Sequence, residues 1–253
     1  MKSELIIPAK DAWQIAMGFI PYAVVSIVHV GARFADNELL ADPTKLFLMP
    51  LLIVAVILAA RRSLASGMEN GGPARGQLAA KGPWFLLLAG LFFSWLGDGA
   101  GALFPFAPTL PLMLLFFGIA HLCYMRLFWR HLAVRTVSWW ALAFAGWWVV
   151  LLIIMWPRAE GLAIAVALYG LVLGGTAALS TRCNVLVLWG GIFFLASDTI
   201  LSFRIFALEL MPDWTSGMVM LTYTIGQGLI AAGALVTLYQ ANSERKPVPV
   251  TAR

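Results

Sequence analysis

Charge is scarce in this chain: Asp, Glu, Lys and Arg make up 11% of its 253 residues, against about 25% in a soluble domain. A surface that poor in charge cannot be covered by water, and with 61% hydrophobic residues lipid is the better solvent for it. Cysteine is also rare. Cys123 and Cys183 are the two present and no CxxC joins them, so free thiols without a metal role are expected. Only three histidines occur. There is no HExxH and no His/Cys zinc spacing, which speaks against a metal hydrolase. No GxSxG is present, so the usual serine lipase arrangement is not indicated. Phosphate-binding loops and dinucleotide-binding glycine patterns are missing too, and the expected cofactor list is empty. The net charge of +5 does not point to nucleic acid, because the basic residues sit at the ends of apolar runs.

Those runs are what the chain does contain. A helix needs about 20 apolar residues to cross the hydrocarbon, and the 21 positions between Asp11 and Arg33 carry no charge. The run is too long for a signal-peptide core and no A-x-A-like site follows, so it reads as a retained helix. Eight spans are expected, at about 12–33, 45–60, 83–102, 109–129, 137–157, 160–181, 185–206 and 214–240, in one integral membrane domain. Pro105, Pro108 and Pro111 place a turn before the fourth span, since proline suits helix starts. Arg61–Lys81, rich in glycine and polar residues, reads as the one extended polar loop. The continuous apolar stretches exclude a β-barrel. The fold class is therefore all-α, a polytopic membrane helix bundle.

Lys and Arg set the orientation. The N-terminus, the even-numbered loops and the C-terminal tail hold Lys2, Lys10, Arg61, Arg62, Arg75, Lys81, Arg126, Arg130, Arg135, Arg182, Arg245, Lys246 and Arg253, which is 13. The other side holds Arg33, Lys45, Arg158 and Arg204, which is 4. Both termini are expected in the cytoplasm, with the chain in a bacterial inner membrane. Trp139, Trp140, Trp147 and Trp148 read as interfacial or lipid-facing aromatics.

Two segments resemble each other. Gly90-Leu-Phe-Phe-Ser-Trp-Leu-Gly-Asp98 and Gly190-Gly-Ile-Phe-Phe-Leu-Ala-Ser-Asp198 each pass from glycine through Phe-Phe to aspartate. Lying four spans apart, they run in the same direction and suggest two parallel four-helix halves. An ionisable residue inside a span is costly and marks function by default. Asp98 and Asp198 are the strongest cases, at similar depth, able to face each other across the bundle. Each has a serine nearby, Ser94 and Ser197, that can serve as a plain packing partner. Lys45 starts the second span, where it can snorkel to the interface. His121 and Tyr124 share a helix face, as do Tyr223 and Gln227. Ordinary interhelical hydrogen bonding would also explain these pairs. Tyr169 is similar but weaker, and His29 reads as structural.

Taken in order, Thr44-Lys45 with Met49-Pro50-Leu51, Phe93-Ser94-Trp95-Leu96-Gly97-Asp98, Gly118-x-x-His121-x-x-Tyr124, Phe194-Leu-Ala-Ser197-Asp198 and Thr222-Tyr223-x-x-x-Gln227-x-Leu-Ile230 form a pattern. The chain resembles the lysoplasmalogenase family, the YhhN-like membrane proteins. It departs at Leu46, where that family's pattern leads one to expect proline. The resemblance implies an ether hydrolase that cleaves the vinyl-ether bond of lysoplasmalogens to a fatty aldehyde and a glycerophospho-base.

The residues suit that reaction. Protonating the terminal alkene carbon of a vinyl ether gives an oxocarbenium ion, which water captures as a hemiacetal that then collapses. The division of labour is that of glycoside hydrolysis, in which one carboxylic acid protonates and a second carboxylate stabilises the cation or activates water. Asp98 and Asp198 fill these roles. Lys45 can bind the phosphate as a point charge, while Ser94, His121, Tyr124, Tyr169, Tyr223 and Gln227 are candidates to bind and orient the lysophospholipid. Its alkyl chain would lie between helices in contact with membrane lipid. The competing expectation is a small multi-pass transporter or lipid-binding protein, since parallel repeats and midplane carboxylates also serve transport.

Overall fold

The structure, a computed structural model, describes the backbone of residues 9–68 and 74–244 and the side chains of 13, 15–63 and 81–241. Lys2, Arg245, Lys246 and Arg253, and the side chains of Lys10 and Arg75, lie outside the described residues. Among those described every regular element is helical: α1 Ala9–Phe34, α2 Glu38–Met68, α3 Ala74–Asp98, the short α4 Ala100–Leu103, α5 Thr109–Leu127, α6 Leu142–Met155, α7 Ala163–Ser180, α8 Val185–Phe206 and α9 Thr215–Glu244. Six of the segments are long and apolar enough to cross a membrane: Ile15–Phe34, Glu38–Ser63, Thr109–Leu132, Glu160–Ser180, Val185–Phe206 and Thr215–Ala241. Trp139–Met155 is apolar but shorter, and α3 completes the set of long helices. The chain is an integral membrane helix bundle.

Local chemistry explains most of the boundaries. Pro108, extended at φ −63° and ψ 120°, precedes α5, so the turn falls where the prolines placed it. Asn184 caps α8: its side-chain oxygen accepts from the Leu186 and Val187 amides at 3.0 and 3.1 Å, and its amide nitrogen donates to the Gly233 carbonyl of α9 at 2.7 Å. The span therefore begins at Val185, as expected.

Two expectations are corrected. The second helix starts at Glu38, not near Lys45, because Asn37 caps it by accepting from the Leu40 amide at 3.2 Å and a glutamate suits a first turn. Lys45 consequently lies two turns inside α2. The polar segment Arg61–Lys81 is also mostly helix, with α2 running on to Met68 and α3 starting at Ala74. Its Ala, Arg, Leu and Gln are good helix formers, so leaving the apolar run does not end the helix.

The helices pack in sequential pairs, α1 with α2, α3 with α5, α6 with α7 and α8 with α9. The tightest contact is α8 on α9. A Cβ at Gly190 would sit 2.7 Å from the Ile230 nitrogen and 2.9 Å from the Gly226 carbonyl oxygen, and one at Gly226 would sit 2.9 Å from the Phe194 nitrogen. Missing side chains let the two backbones touch, the means by which membrane helices associate without a hydrophobic driving force. On α3, Gly90 leaves room for the Tyr124 ring and Gly97 for the Phe117 ring. The glycines of both resembling segments thus accept a neighbour, a ring in one half and a backbone in the other.

Charge is segregated between the two ends. One end carries Arg33, Asp36, Glu38, Asp42, Asp98, Arg204 and Asp213; the other carries Arg61, Arg62, Arg126, Arg130, Arg135 and Arg182 and, among the described side chains, no acidic group, Asp11 and Glu244 there being described in backbone only. At the basic end Arg135 donates to the Thr181 and Cys183 carbonyls at 2.7 and 3.0 Å, and Arg182 lies 4.2 Å over the Trp129 ring. Two tryptophans also differ from expectation: Trp147 donates to Thr199 at 3.2 Å and Trp148 to the Ala167 carbonyl at 3.0 Å. They lock α6 onto α7 and α8, whereas Trp139 is largely exposed. An indole inside lipid gains by finding an acceptor. Cys123 and Cys183 are free thiols.

Candidate functional site

Helix spacing brings the polar residues together from α3, α5, α7, α8 and α9. Asp98, partly buried at the end of α3, accepts a hydrogen bond from the Tyr223 hydroxyl of α9 at 2.6 Å. Asp198, its side chain 9% exposed, accepts one from the Tyr169 hydroxyl of α7. Each carboxyl therefore has a phenol as partner, and the nearby serines serve elsewhere. Ser94 accepts from the Gln227 amide at 2.9 Å, and Ser197 donates to the Val219 carbonyl at 2.9 Å, pinning α8 to α9 beside Asp198.

His121 is wholly buried, with its Nε2 4.0 Å from the nearer Asp198 oxygen and 3.5 Å from the Tyr169 hydroxyl. Its Nδ1 lies 3.1 Å from Thr176 Oγ1. The Thr176 hydroxyl donates to the Val172 carbonyl at 2.8 Å, so it accepts from His121, and the network assigns the imidazole proton to Nδ1. In neutral His121, Nε2 then faces Tyr169 and Asp198 as a lone pair. Tyr124 donates to the Gln227 side-chain oxygen at 2.8 Å, completing the chain Tyr124–Gln227–Ser94.

Aromatic edges join these pieces. The Phe194 ring lies 4.7 Å from His121 and 5.5 Å from Tyr223, and Phe117 lies 6.0 Å from Tyr223 and 6.3 Å from Phe194, all steeply inclined. Ser94, His121, Tyr124, Tyr169, Tyr223 and Gln227 thus belong to one buried cluster with the two aspartates. Two phenylalanines and Thr176 are partners that motif reading did not single out, although Phe194 falls inside a quoted motif. The signal for Thr176 would have been a hydroxyl on a helix whose other polar side chains are Tyr169 and Ser180.

Two cavities adjoin the cluster. An apolar one of about 50 Å³ touches Asp198 and Tyr169 and is otherwise lined by α5, α6, α7 and α8, including Leu114, Phe117, Val166 and Leu201. A cationic one of about 170 Å³ is lined by His29, Arg33, Asp42, Lys45 and Arg204. Lys45 is therefore at the site's edge, outside the hydrogen-bonded cluster. His29 is tied to the Ala41 carbonyl at 3.1 Å and to Thr44 at 2.9 Å. Among the described residues no three His, Cys, Asp or Glu side chains form a group able to hold a metal ion.

A family model described as the YhhN family matches residues 40–234. The chain belongs to the YhhN family. The match runs from α2 to α9 and so takes in both aspartates and every residue of the cluster. Searches of curated proteins and of solved structures gave no match.

Proposed function

We propose that this YhhN-family chain is an ether hydrolase of the membrane that cleaves the vinyl-ether bond of lysoplasmalogens. The observation that carries the reading is a pair of carboxyls inside the helix bundle, Asp98 and Asp198, each holding a tyrosine hydroxyl, with an apolar cavity against one of them. Intramembrane carboxyls are expensive to maintain, and protonating the alkene and stabilising the cation are tasks that two of them can divide, as in glycoside hydrolysis.

The geometry favours a division of roles. The carbon to be protonated is the one on the chain side of the double bond, and the apolar cavity abuts Asp198. Asp198 is therefore assigned the proton donor. The oxocarbenium carbon and ether oxygen lie on the glycerol side, toward Asp98 and the cavity that Lys45 lines. Asp98 is assigned to stabilise the cation and to guide water onto it. Water adds its oxygen to that carbon and returns a proton to the carboxyl pair. The hemiacetal then breaks its bond to glycerol, releasing the aldehyde and the glycerol hydroxyl. Tyr169 and Tyr223 orient the carboxyls, and His121 lies beside Asp198 as a proton acceptor. The lone pair assigned to His121 Nε2 suits this task.

The same reading places the chain in a bacterial inner membrane with both termini in the cytoplasm, because the end of the bundle that holds Arg61, Arg62, Arg126, Arg130, Arg135 and Arg182 carries most of the arginines. Reporter fusions at both termini test this, and activity from an external reporter would overturn it. The function is tested with purified protein and lysoplasmalogen in detergent. Release of aldehyde without any ion gradient is expected; intact substrate, together with gradient-driven movement of a solute in vesicles, would overturn the enzyme in favour of a transporter.

A further inference from the structure

We infer that the cationic cavity is a phosphate seat, in which Lys45, Arg33 and Arg204 together hold the phosphodiester of a lysophospholipid headgroup. The inference rests on the hydrolase reading for its substrate and adds the site for the substrate's polar end, which a single lysine on the second span does not supply.

The cavity, about 170 Å³, lies where the ends of α1, α2, α8 and α9 meet. A water's share of liquid is about 30 Å³, so the space takes a phosphate with part of its hydration. Three cations line it against one carboxylate, Asp42. Arg33 is fixed in place: its Nε donates to Ser216 at 3.0 Å and its Nη1 to both oxygens of Glu38 at 3.0 and 2.9 Å. Arg204 is held through Nη1, which donates to Thr215 at 2.7 Å and more weakly to the Pro212 and Asp213 carbonyls. In each guanidinium the other terminal nitrogen has no hydrogen bond among the described residues. Lys45 makes neither a hydrogen bond nor an ion pair among them. Two anchored forks and one free ammonium are a donor set for a tetrahedral anion, already ordered before the ligand arrives.

His29 supplies a second, independent observation. Its Nδ1 lies 3.1 Å from the Ala41 carbonyl, which can only accept, so Nδ1 carries the proton. Its Nε2 is buried and has no hydrogen-bond partner among the described residues. Buried polar atoms are normally satisfied, and the free glycerol hydroxyl of a lysolipid is a donor of the right kind for this nitrogen.

Position links the cavity to the chemistry. Leu201 lines both this cavity and the apolar one. Asp198 precedes Leu201 by three residues on α8, and Tyr223, which holds Asp98, follows Met220 of the cavity wall by three on α9. Three residues of helix rise about 5 Å, a span that a three-carbon glycerol unit bridges. Phosphate and alkyl chain then enter the two cavities that share Leu201, with the vinyl ether beside Asp198.

The test measures binding to the full-length purified chain in detergent. The probes are a saturated 1-O-alkyl lysophosphoethanolamine, which has no vinyl ether to cleave, the 1-O-alkylglycerol of equal chain length, and inorganic phosphate as competitor. The phosphorylated lipid should bind about tenfold or more tightly than the alkylglycerol, and Lys45→Gln and Arg204→Gln should each remove about tenfold of that preference. Binding of the alkylglycerol should not change. Arg158→Gln, at the same end but outside the cavity, should behave as wild type. Lys45 makes no hydrogen bond, so its variant keeps the fold, and a melting curve checks Arg204→Gln. Equal affinity for the two lipids, or an unchanged preference in folded Lys45→Gln, overturns the seat. Displacement by inorganic phosphate as effective as by the lipid reassigns it to free phosphate and overturns the headgroup. Aldehyde release is measured alongside on the vinyl ether: its absence with phosphate-dependent binding intact removes the hydrolase and keeps the seat, and its presence without phosphate dependence does the reverse.

Discussion

The Tyr223 hydroxyl reaches Asp98 at 2.6 Å from a helix 125 residues further along the chain, and Tyr169 does the same for Asp198 from only 29 residues away. The two carboxyls end resembling segments, yet their partners do not repeat: Tyr223 lies in the opposite half of the chain, Tyr169 in the same half. The arrangement ties the first half of the bundle to the second through the site itself. A carboxyl bound to one phenol keeps its other oxygen for substrate, so both aspartates can be positioned and still act.

Asp98→Asn and Asp198→Asn should each lower aldehyde release by roughly 10²–10⁴-fold, the usual contribution of general acid–base catalysis, because an amide neither protonates carbon nor stabilises a cation as a carboxylate does. Protonation of carbon should be the slow step, so turnover should also slow clearly in deuterated water. Near-normal rates in both variants, with melting curves unchanged, would end the two-carboxyl mechanism. Loss in only one would leave the other aspartate as a packing partner and turn attention to His121.

Removing only the phenol is a finer probe. Tyr223→Phe and Tyr169→Phe keep the ring and delete one hydrogen bond to a carboxyl, an interaction of about 1.5–3 kcal/mol when its acceptor is charged. The expected result is a fall in kcat of about tenfold or more with KM little changed, since the lost hydroxyl orients a catalytic group while the ring stays in place. A rise in KM alone would place the tyrosines in substrate binding.

Much of this site was legible because apolar runs between charges locate spans, and polar residues within them are few enough to name. Val185–Phe206 fell where expected, and His121 with Tyr124 and Tyr223 with Gln227 did prove to share faces, since 3.6-residue periodicity is local. Which helix faces which is not local. Nothing in the sequence tells that Tyr169, and no serine, meets Asp198, or that Trp147 and Trp148 turn inward to Thr199 and the Ala167 carbonyl. The early start of α2 was missed for a different reason: hydropathy marks where the apolar run begins, whereas Asn37 and Glu38 mark where the helix does. That difference also hid Arg33 and Arg204, which counted only as topology charges until the helix ends were seen to converge on Lys45.

The contact between α8 and α9 should be intolerant of one methyl group. Gly190→Ala would place a carbon 2.7 Å from a backbone nitrogen and 2.9 Å from a backbone oxygen, neither of which can rotate away. A cost of about 1–3 kcal/mol is expected from overpacking, seen as a lower Tm in detergent. Gly118→Ala on α5, with nothing within 4 Å of the new carbon, should leave Tm unchanged or slightly raised. Similar Tm values for the two variants would show that the helices can move apart at little cost.

The apolar cavity makes a specificity prediction. Val166 on α7 is 9% exposed and lines the cavity that also touches Asp198. With about 50 Å³ available, the cavity admits only the first carbons beyond the double bond, and the remaining chain lies in lipid. Val166→Phe fills that space without touching either aspartate, so kcat/KM for a straight-chain lysoplasmalogen should fall by about tenfold or more. Val166→Ala enlarges it. Straight chains should then react nearly as before, while a substrate carrying a methyl branch next to the double bond should gain on them. The scale is set by one methylene in an apolar pocket, about 1–3 kcal/mol or 10–200-fold in discrimination. The check is competition between straight and branched substrates in one assay, which cancels differences in enzyme amount and folding. An unchanged ratio in Val166→Ala, together with an active Val166→Phe, would show that the chain leaves Asp198 by another route, and the assignment of Asp198 as the proton donor would lose its geometric basis.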